Sequence, residues 1–429
     1  MKLTLKKIVS SIIQLEARLI IKKYNPKIIA VTGSVGKTST KDAIFSVMAA
    51  NFYVRKSEKS FNSDIGIPLT ILGCPNAWND PIKWLSNILK GLELIMWRNN
   101  YPEWLVIEVG ADRPNDIKDI TKWLKPDVTV LTTFAKTPVH IEFFGGRDNL
   151  IREKEYLVDA LKYDGVLIAN ADDTDAMKMA QKNKSKLLSY GVTGDADLRA
   201  SNISINYTDG KADGMIFKVE YKDNVIPITI KGSLGVQNIY SSLAAIAVGL
   251  SQKINVVKAG EGLLENETPK GRMKIIKGIK NTIILDDTYN SSPVALYSAL
   301  STLKNIETKG RKIAMLADMM ELGKHSVDEH YEAGKAAADS CDILITVGVR
   351  AKKMAEGALD EKMDEGSIFQ FDNSVEAGKF VQEMLKEGDV VLLKGSQSTR
   401  MEKAVEEIMA EPEKAEDLLV RQEEEWKKR

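Results

Sequence analysis

A glycine-rich stretch near the N-terminus has the composition of a loop that binds phosphate groups. It reads Thr-Gly-Ser-Val-Gly-Lys-Thr-Ser over residues 32–39 and follows the apolar residues 28–31. A loop between a buried strand and a helix directs backbone N–H groups and the positive end of the helix dipole toward one point. Lys37 would add a positive charge there, and Thr38 a hydroxyl group. We therefore predict a nucleotide site formed by Gly33, Ser34, Gly36, Lys37, Thr38 and Ser39.

The spacing in this loop is shorter than in the common phosphate-binding motif. That motif has four residues between its first glycine and the Gly-Lys pair, whereas here only Ser34 and Val35 intervene. An ordinary glycine-rich turn is the alternative interpretation. The nucleotide site is favoured because the Lys-Thr pair opens an amphipathic helix whose apolar residues share one face. Those residues are Ala43, Ile44, Val47 and Met48.

Other polar residues follow predicted strands of the same half of the chain. Glu108 closes the apolar run 105–109, at the end where ligands of open parallel sheets bind, and a carboxylate there suits a magnesium ion. His140 follows another strand; a lone histidine is often structural, but a position beside a nucleotide site favours a ligand. Lys154 lies among charged residues at the start of a predicted helix. Without further context it is interpreted as a solvated surface charge.

The second half of the chain has its own candidates. Asp286 and Asp287 end an apolar strand, where two carboxylates are costly unless they are solvated or paired, so they indicate a cationic or hydrogen-bonding ligand. Arg272 follows a flexible glycine between the two halves and could reach a terminal phosphate when the halves close. Lys394 stands at another strand end, either as a cation of the site or in a plain turn.

The alternation of strands and helices predicts an α/β fold with a central P-loop ATPase domain and a C-terminal Rossmann-like domain. Residues 27–267 are expected to form an ATP-binding domain with a mostly parallel sheet and a small antiparallel insertion at about residues 196–231. Residues 268–429 are expected to form a C-terminal Rossmann-like domain. Residues 1–26 precede both as a basic amphipathic helix.

The amino-acid composition limits the possible binding partners and the cellular compartment of the protein. The 429 residues include 60 basic and 60 acidic side chains, so no overall field attracts nucleic acid, and we expect no nucleic-acid partner. Cys74 and Cys341 are too few and too far apart for a disulfide framework, which is typical of the cytoplasm. No apolar run reaches the roughly 20 residues needed to span a bilayer.

The N-terminal helix is the most strongly charged part of the chain. Residues 1–27 contain seven basic residues and one acidic residue, a net charge of +6. Its apolar face could pack against the first domain or a second subunit, so that the protein is a monomer or a homodimer, or residues 1–23 could contact an anionic membrane. We expect packing, because residues 22–26 leave only a short connection to the first strand. The apolar stripe expected to be buried contains Leu5, Ile8, Ile12, Leu15 and Leu19, widened by Val9, Ile13 and Ile20.

Taken together, these stretches resemble the Mur ligase family from about Lys27 to the C-terminus. In that family the short phosphate loop is the usual form. The resemblance is carried by residues 32–38, Asn62 with 65–68, 108–110, 140–145, Lys154, 170–173, Asn238, 271–273, 286–293, 318–323 with His330, and 394–396.

The resemblance implies a role for each matching residue. Lys37 and Thr38 hold the phosphates of ATP and one Mg²⁺, and a second Mg²⁺ is expected. Lys154 falls where the family has a carbamylated lysine. The implied catalytic residues are Lys37, Lys154, His140 and Arg272, and the implied metal ligands are Thr38, Glu108, His140 and Lys154. Beside the loop, the implied ATP contacts are Asn62, Asn238 on the adenine side, and Arg272, Asp287 and Asn290 from the second domain.

The reaction implied by the resemblance is ATP-dependent amide formation in peptidoglycan precursor synthesis. A muropeptide carboxylate is activated as an acyl phosphate and joined to D-alanyl-D-alanine. The family's N-terminal uridine-nucleotide-binding domain is expected to be absent here, with the N-terminal helix in its place. This leaves two alternatives: a ligase for a lipid-linked muropeptide or another amino-acid polymer, and a non-catalytic nucleotide-binding assembly protein.

Overall fold

The computed structural model of the protein describes residues 3–58 and 61–428, which form two β-sheets with helices packed on them. The first sheet contains β1 (Lys27–Thr32), β2 (Val54–Lys56), β3 (Trp104–Glu108), β4 (Val128–Leu131), β5 (Val166–Asn170), β6 (Lys186–Gly191), β7 (Leu198–Thr208), β8 (Lys211–Tyr221) and β9 (Asn224–Lys231). The second contains β10 (Lys274–Lys277), β11 (Ile283–Asp287), β12 (Lys312–Ala317), β13 (Ile343–Val347), β14 (Ile368–Phe371) and β15 (Val390–Lys394).

Helices cover both sheets and form a further layer at the N-terminus. In the first half they are α1 (Leu3–Tyr24), α2 (Lys37–Ala49), α3 (Gly66–Leu72), α4 (Pro81–Met96), α5 (Asp116–Ile120), α6 (Ile141–Phe144), α7 (Arg147–Asp159), α8 (Thr174–Lys182), α9 (Val236–Ser251) and α10 (Val256–Leu264). In the second half they are α11 (Pro293–Asn305), α12 (Ser326–Ala338), α13 (Lys352–Asp360), α14 (Ser374–Met384), α15 (Glu402–Ile408), α16 (Ala415–Leu418) and α17 (Glu424–Lys427).

The first sheet has the strand order β2-β3-β1-β4-β5-β6-β7-β8-β9. Pairing is parallel from β2 to β7 and antiparallel from β7 to β9. The predicted antiparallel segment is therefore present, but it continues the same sheet, because β6 pairs with the start of β7. The central strands β3 and β4 are buried along their whole length, as expected for a sheet covered on both faces.

The second sheet has the order β10-β11-β15-β12-β13-β14, and only β10 pairs in the antiparallel sense. This supports the predicted α/β fold class with a second Rossmann-like unit. The expected boundary at residues 267 and 268 lies between α10 and β10. The division into domains stays a prediction.

The N-terminal helix packs on the first unit through only part of the predicted stripe. Helix α1 buries Val9, Ile13, Ala17 and Ile20 in a cluster shared with α3 and α4. The expectation was wrong for Ile8, Ile12, Leu15 and Leu19, which remain between 37% and 58% exposed. The side chains of Lys2, Leu5, Lys6 and Lys7 lie outside the described part of the structure.

Helix α1 has apolar residues on two faces, and only one of them meets the protein. Among the helices described, none has the length and apolar character needed to cross a membrane.

Candidate active site

The glycine-rich loop connects β1 to α2 in a conformation that requires its glycines. Gly33 has φ +146°, and a Cβ atom there would lie 2.0 Å from the Oγ1 atom of Thr132. Gly36 has φ +86° and precedes the first turn of α2. The backbone N–H of Ser34 donates to the carbonyl oxygen of Thr133 at 2.7 Å, which ties the loop to the end of β4. The loop is thereby held open beside the first turn of α2.

Two lysine side chains converge on one carbonyl group of this loop. The Nζ atom of Lys37 donates to the carbonyl oxygens of Gly33 at 3.1 Å and Ser34 at 3.3 Å. The Nζ atom of Lys154, from α7, donates to the same Gly33 oxygen at 3.0 Å. Bound phosphate groups could replace these backbone acceptors. Lys37 and Lys154 therefore lie together at the loop.

The proximity of these two amines affects their protonation. Burial, and next the charge of Lys37, lower the pKa of Lys154 to about 7. Burial also lowers the pKa of Lys37, although Glu108 opposes the shift. Lys154 is only 4% exposed, so its interpretation as a solvated surface charge was wrong. Residue patterns alone did not reveal this, because its neighbours in sequence are charged and α7 turns Lys154 inward.

Glu108 is a buried acceptor beside the loop. The register pairs Val31 with Glu108 across β1 and β3, which brings the carboxylate to the carboxyl end of both strands. The Thr38 hydroxyl donates to Oε2 at 2.9 Å, and the Asn62 amide donates to Oε1 at 3.0 Å. A hydroxyl and a carboxylate are hard oxygen donors, which fit a magnesium ion. Within residues 3–58 and 61–428, no three His, Cys, Asp or Glu residues form a cluster that could hold a metal ion.

His140 lies where the two units meet. It has φ +68° directly before α6, and its Nδ1 atom is 2.6 Å from Oε2 of Glu321, which follows β12 of the second sheet. Its Nε2 atom is 3.4 Å from Oδ1 of Asp112. Asp112 in turn interacts electrostatically with Lys37 and Lys154. His140 therefore borders the loop through Asp112, a residue that the sequence analysis missed although it follows β3 closely.

Arg272 reaches toward the loop from the start of the second unit. Its guanidinium group lies 4.1 Å from the centre of the Tyr289 ring, a cation–π contact that holds the side chain in place. Its charge contributes to lowering the pKa of both Lys37 and Lys394. Gly271 has φ +68°, and a Cβ atom there would approach the Tyr289 nitrogen to 2.8 Å. The backbone before Arg272 thus packs closely against the loop that carries Tyr289.

Asp287 is paired within the protein. Its Oδ2 atom is 2.5 Å from the Nζ atom of Lys394, and its Oδ1 atom accepts from the Met273 N–H at 3.2 Å. Lys394 also donates to the carbonyl oxygen of Asn290 at 3.0 Å, and the Asn290 side chain accepts from the N–H of Ser291. Lys394 is thus a buried cation that holds these loops together. Contacts of Asp287 and Asn290 with a nucleotide stay predictions.

A cavity of about 710 Å³ lies between β7, β8, α9 and α11, within the size range of small-molecule sites. Asn238 is not among its lining residues: its Nδ2 atom donates to Ser233 Oγ at 3.2 Å and Leu234 O at 2.9 Å. Its neighbour Gln237 does line the cavity. The lining also includes Asn170, Asp172, Tyr240 and Ser301. The role of Asn238 on the adenine side stays a prediction.

The arrangement concentrates cations where a polyphosphate would be bound. Lys37 and Lys154 meet at Gly33, and Arg272 approaches from the second unit. Fixed positive groups of this kind stabilise the negative charge that develops during phosphoryl or acyl transfer. Ser39 is half-buried in the first turn of α2. The site can therefore bind a nucleotide and activate a carboxylate.

Comparisons with known proteins agree with this arrangement. The family description "Mur ligase middle domain" matches residues 31–249, and "Mur ligase, glutamate ligase domain" matches residues 271–397. The UDP-N-acetylmuramoyl-tripeptide–D-alanyl-D-alanine ligase of Bacillus subtilis is 28% identical over 397 residues, which are 92% of this chain and 79% of the relative.

Two solved structures have the same fold. MurF from Acinetobacter baumannii gives a TM-score of 0.75 at 24% identity, covering 92% of this chain and 79% of that one. MurF from Thermotoga maritima in complex with ADP gives a TM-score of 0.74 at 24% identity, covering 95% of this chain and 84% of that one. Both matches extend over most of the chain.

Proposed function

Since the chain belongs to the Mur ligase family, we propose that it is an ATP-dependent peptide ligase that joins D-alanyl-D-alanine to the peptide carboxylate of a muramoyl tripeptide. The observation that carries this proposal is the meeting of Lys37 and Lys154 on the Gly33 carbonyl, next to the Thr38–Glu108 pair. The similarity to the Bacillus subtilis ligase over 92% of the chain supports the choice of substrates.

In this proposal the chain's own residues bind and orient the phosphates. The loop N–H groups and Lys37 bind the phosphates of ATP, and Arg272 approaches them from the second unit. Thr38 and Glu108 would hold a magnesium ion, and His140 with Asp112 is the candidate for a second. Bound magnesium would neutralise charge on the phosphate oxygens. The positive charges of Lys37 and Arg272 then keep the reacting carboxylate close to the terminal phosphate.

Lys154 is proposed to carry a carbamate. An amine with a pKa of about 7 is largely unprotonated in slightly alkaline cytoplasm, so its lone pair can attack carbon dioxide and form an N–C bond with loss of one proton. The product is an anion beside the Lys37 ammonium. Carbamylation would therefore place an anion beside the Lys37 ammonium in place of a largely neutral amine, and the attraction between the two charges supports the proposal.

The remaining assignments concern the compartment, the oligomeric state and the alternative functions. We propose action in the cytoplasm as a monomer or homodimer, without a nucleic-acid partner. Both cysteines are free thiols, and Cys74 is buried, which suits a reducing compartment. A lipid-linked muropeptide remains an alternative carboxylate substrate. A non-catalytic role is disfavoured because a protein that only binds nucleotide has no need of Lys154, Glu108 and Arg272 together.

Phosphate release measured with ATP, magnesium and D-alanyl-D-alanine tests the proposal. We expect release that depends on both the amine and UDP-linked muramoyl tripeptide, together with a new amide product detected by mass spectrometry. Release with a lipid-linked muropeptide only would assign the alternative substrate. ATP binding with no amine-dependent release from either muropeptide would contradict the ligase function.

A further inference from the structure

The layer formed by α1 and α4 exposes an unusual number of large apolar side chains. Those of α1 are between 37% and 58% exposed, and those of α4 between 41% and 78%. In both helices they recur at steps of three and four residues, so each set forms one stripe. We call the two stripes together the outer apolar face: Ile8, Ile12, Leu15 and Leu19 on α1, and Ile82, Leu85, Leu89, Leu92 and Met96 on α4.

The two stripes lie side by side because α1 and α4 are adjacent and parallel. Near the C-terminal end of both helices, Lys23 Nζ donates to the carbonyl oxygens of Leu94 and Ile95, each at 2.9 Å. Two turns earlier on α1, Glu16 packs against Gly91, where a Cβ atom would lie 2.2 Å from the carboxylate. Glu16 and Lys23 therefore mark the side of α1 that faces α4. Successive residues of an α-helix are rotated by about 100° around its axis, which places the exposed stripe of α1 directly beside the side that faces α4.

On α4, too, the exposed stripe lies beside the side of the helix that is buried. Ile88 and Ile95 are only partly buried, and they lie between the buried side of α4 and its exposed stripe. Leu85 and Leu92 are the stripe residues nearest to that boundary at helical spacing. The outer apolar face is thus one surface two helices wide.

Exposed basic residues border this face at the C-terminal ends of the two helices. Residues 1–27 have a net charge of +6, and their one acidic residue, Glu16, is buried between the helices. On α4, Lys90 is paired with Glu93, and Lys83 lies near Asp80. Exposed Lys22 and Arg98 stand at the C-terminal ends of α1 and α4.

We propose that the outer apolar face binds the surface of an anionic lipid bilayer, with α1 and α4 lying in the plane of the interface. Apolar residues on one side of a helix with basic residues around them are the composition of interfacial helices. Trp97, which is 60% exposed at the end of α4, is of a residue type enriched at membrane interfaces. A second copy of the chain fits less well, since it would bring two segments of charge +6 together.

Flotation of the full chain with lipid vesicles tests this surface without reference to ligase activity. We expect binding to vesicles of phosphatidylglycerol and phosphatidylcholine, weakened by salt, and little binding to phosphatidylcholine alone. The variant Leu15→Gln with Leu89→Gln should bind about tenfold more weakly, since each substitution removes apolar area from the contact. The matched control, Val257→Gln with Leu264→Gln, changes two equally exposed apolar residues of α10 and should bind like the wild type.

Charge is tested separately. Lys22→Gln should weaken binding to the anionic vesicles roughly fivefold, because a basic residue near such a surface contributes about 1 kcal/mol. Unchanged melting temperatures show that the variants fold. No flotation of the wild type at low salt would overturn the proposal, as would equal losses in both double variants. A dimer in sedimentation that Leu15→Gln with Leu89→Gln dissociates would assign the face to a second copy instead.

Discussion

The phosphate loop and the layer of α1 and α4 both bury an ionisable side chain, but only one provides a partner for it. Lys154 donates to the Gly33 carbonyl, and Glu108 accepts from Thr38 and Asn62. Glu16 is 3% exposed, and neither of its carboxylate oxygens has a hydrogen-bond partner among the residues that the structure describes. Burial brings the pKa of both Lys154 and Glu16 to about 7, from opposite directions.

The difference separates a binding site from a packing contact. At the loop, the partners of the amines are backbone carbonyl groups, which bound phosphates can replace. In the layer, Glu16 packs against the backbone of Gly91, and without a hydrogen-bond partner its carboxyl group gains most by being neutral. Perturbed protonation alone therefore does not identify an active site. An active site is identified by surrounding groups that can exchange their contacts for a ligand.

Lys37→Ala should have the largest effect, because it removes the cation that contacts two loop carbonyls from within the loop. We expect turnover to fall by at least about a thousandfold, as for the loss of a preorganised charge in other sites. The melting temperature should stay within a few degrees, since the side chain fills no core. Phosphate release and thermal unfolding measure the two effects. Near-normal ligation would show that the loop does not bind the reacting phosphates.

Lys154→Ala should lower turnover by about a hundredfold or more. If a carbamate is the active form, short carboxylates such as acetate or formate should restore part of the activity by occupying its place. Activity assayed with and without added bicarbonate checks the wild type. Lys178→Ala, at an exposed position on α8, is the matched control and should change neither the turnover nor its response to bicarbonate. Unchanged activity in Lys154→Ala would leave this lysine with a packing role comparable to that of Glu16.

Arg272→Lys keeps the charge that approaches the loop but loses the planar group stacked on Tyr289. We expect turnover to fall about tenfold while ATP affinity changes less, because the second unit acts mainly as the reaction proceeds. Steady-state rates and nucleotide titration separate the two. Equal losses of turnover and of ATP affinity would mean that Arg272 contributes to ground-state binding only.

The strands that position the site were predictable because a parallel sheet demands continuous apolar runs. The apolar runs at residues 28–31 and 105–109 correspond to β1 and β3, and their pairing explains how Glu108 reaches the loop. Strands β2 and β14 have no such run, because they are short, half-buried edge strands. Helix α1 was predicted, but its apolar residues form two stripes, and periodicity cannot say which one is buried.

The candidate site was predicted to a similar extent. Residue types identified Lys37, Thr38 and Glu108, whose roles depend on local loop and strand geometry. The partner across the two units was not predictable, because Glu321 beside His140 depends on how the units meet. The pairing of Lys394 with Asp287 was not predictable either, because it depends on which strands of the second sheet are neighbours. Burial of Lys154 was equally hidden, since it follows from the packing of α7 under the loop.

The smallest predicted effect concerns Glu16. Burial raises its pKa from the ordinary value of 4.5 to about 7, so the folded protein retains a proton that the unfolded chain releases in this interval. Stability should therefore fall as pH rises from about 4.5 to about 7 and then level off. Glu16→Gln is neutral at every pH, so its melting temperature should decline less over this range than that of the wild type. Exposed Glu261→Gln on α10 is the control and should follow the wild type. Parallel pH curves for Glu16→Gln and the wild type would mean that the carboxylate finds solvent or a partner in solution. In that case Glu16 would have a partner as Lys154 does, and the contrast between the two sites would fail.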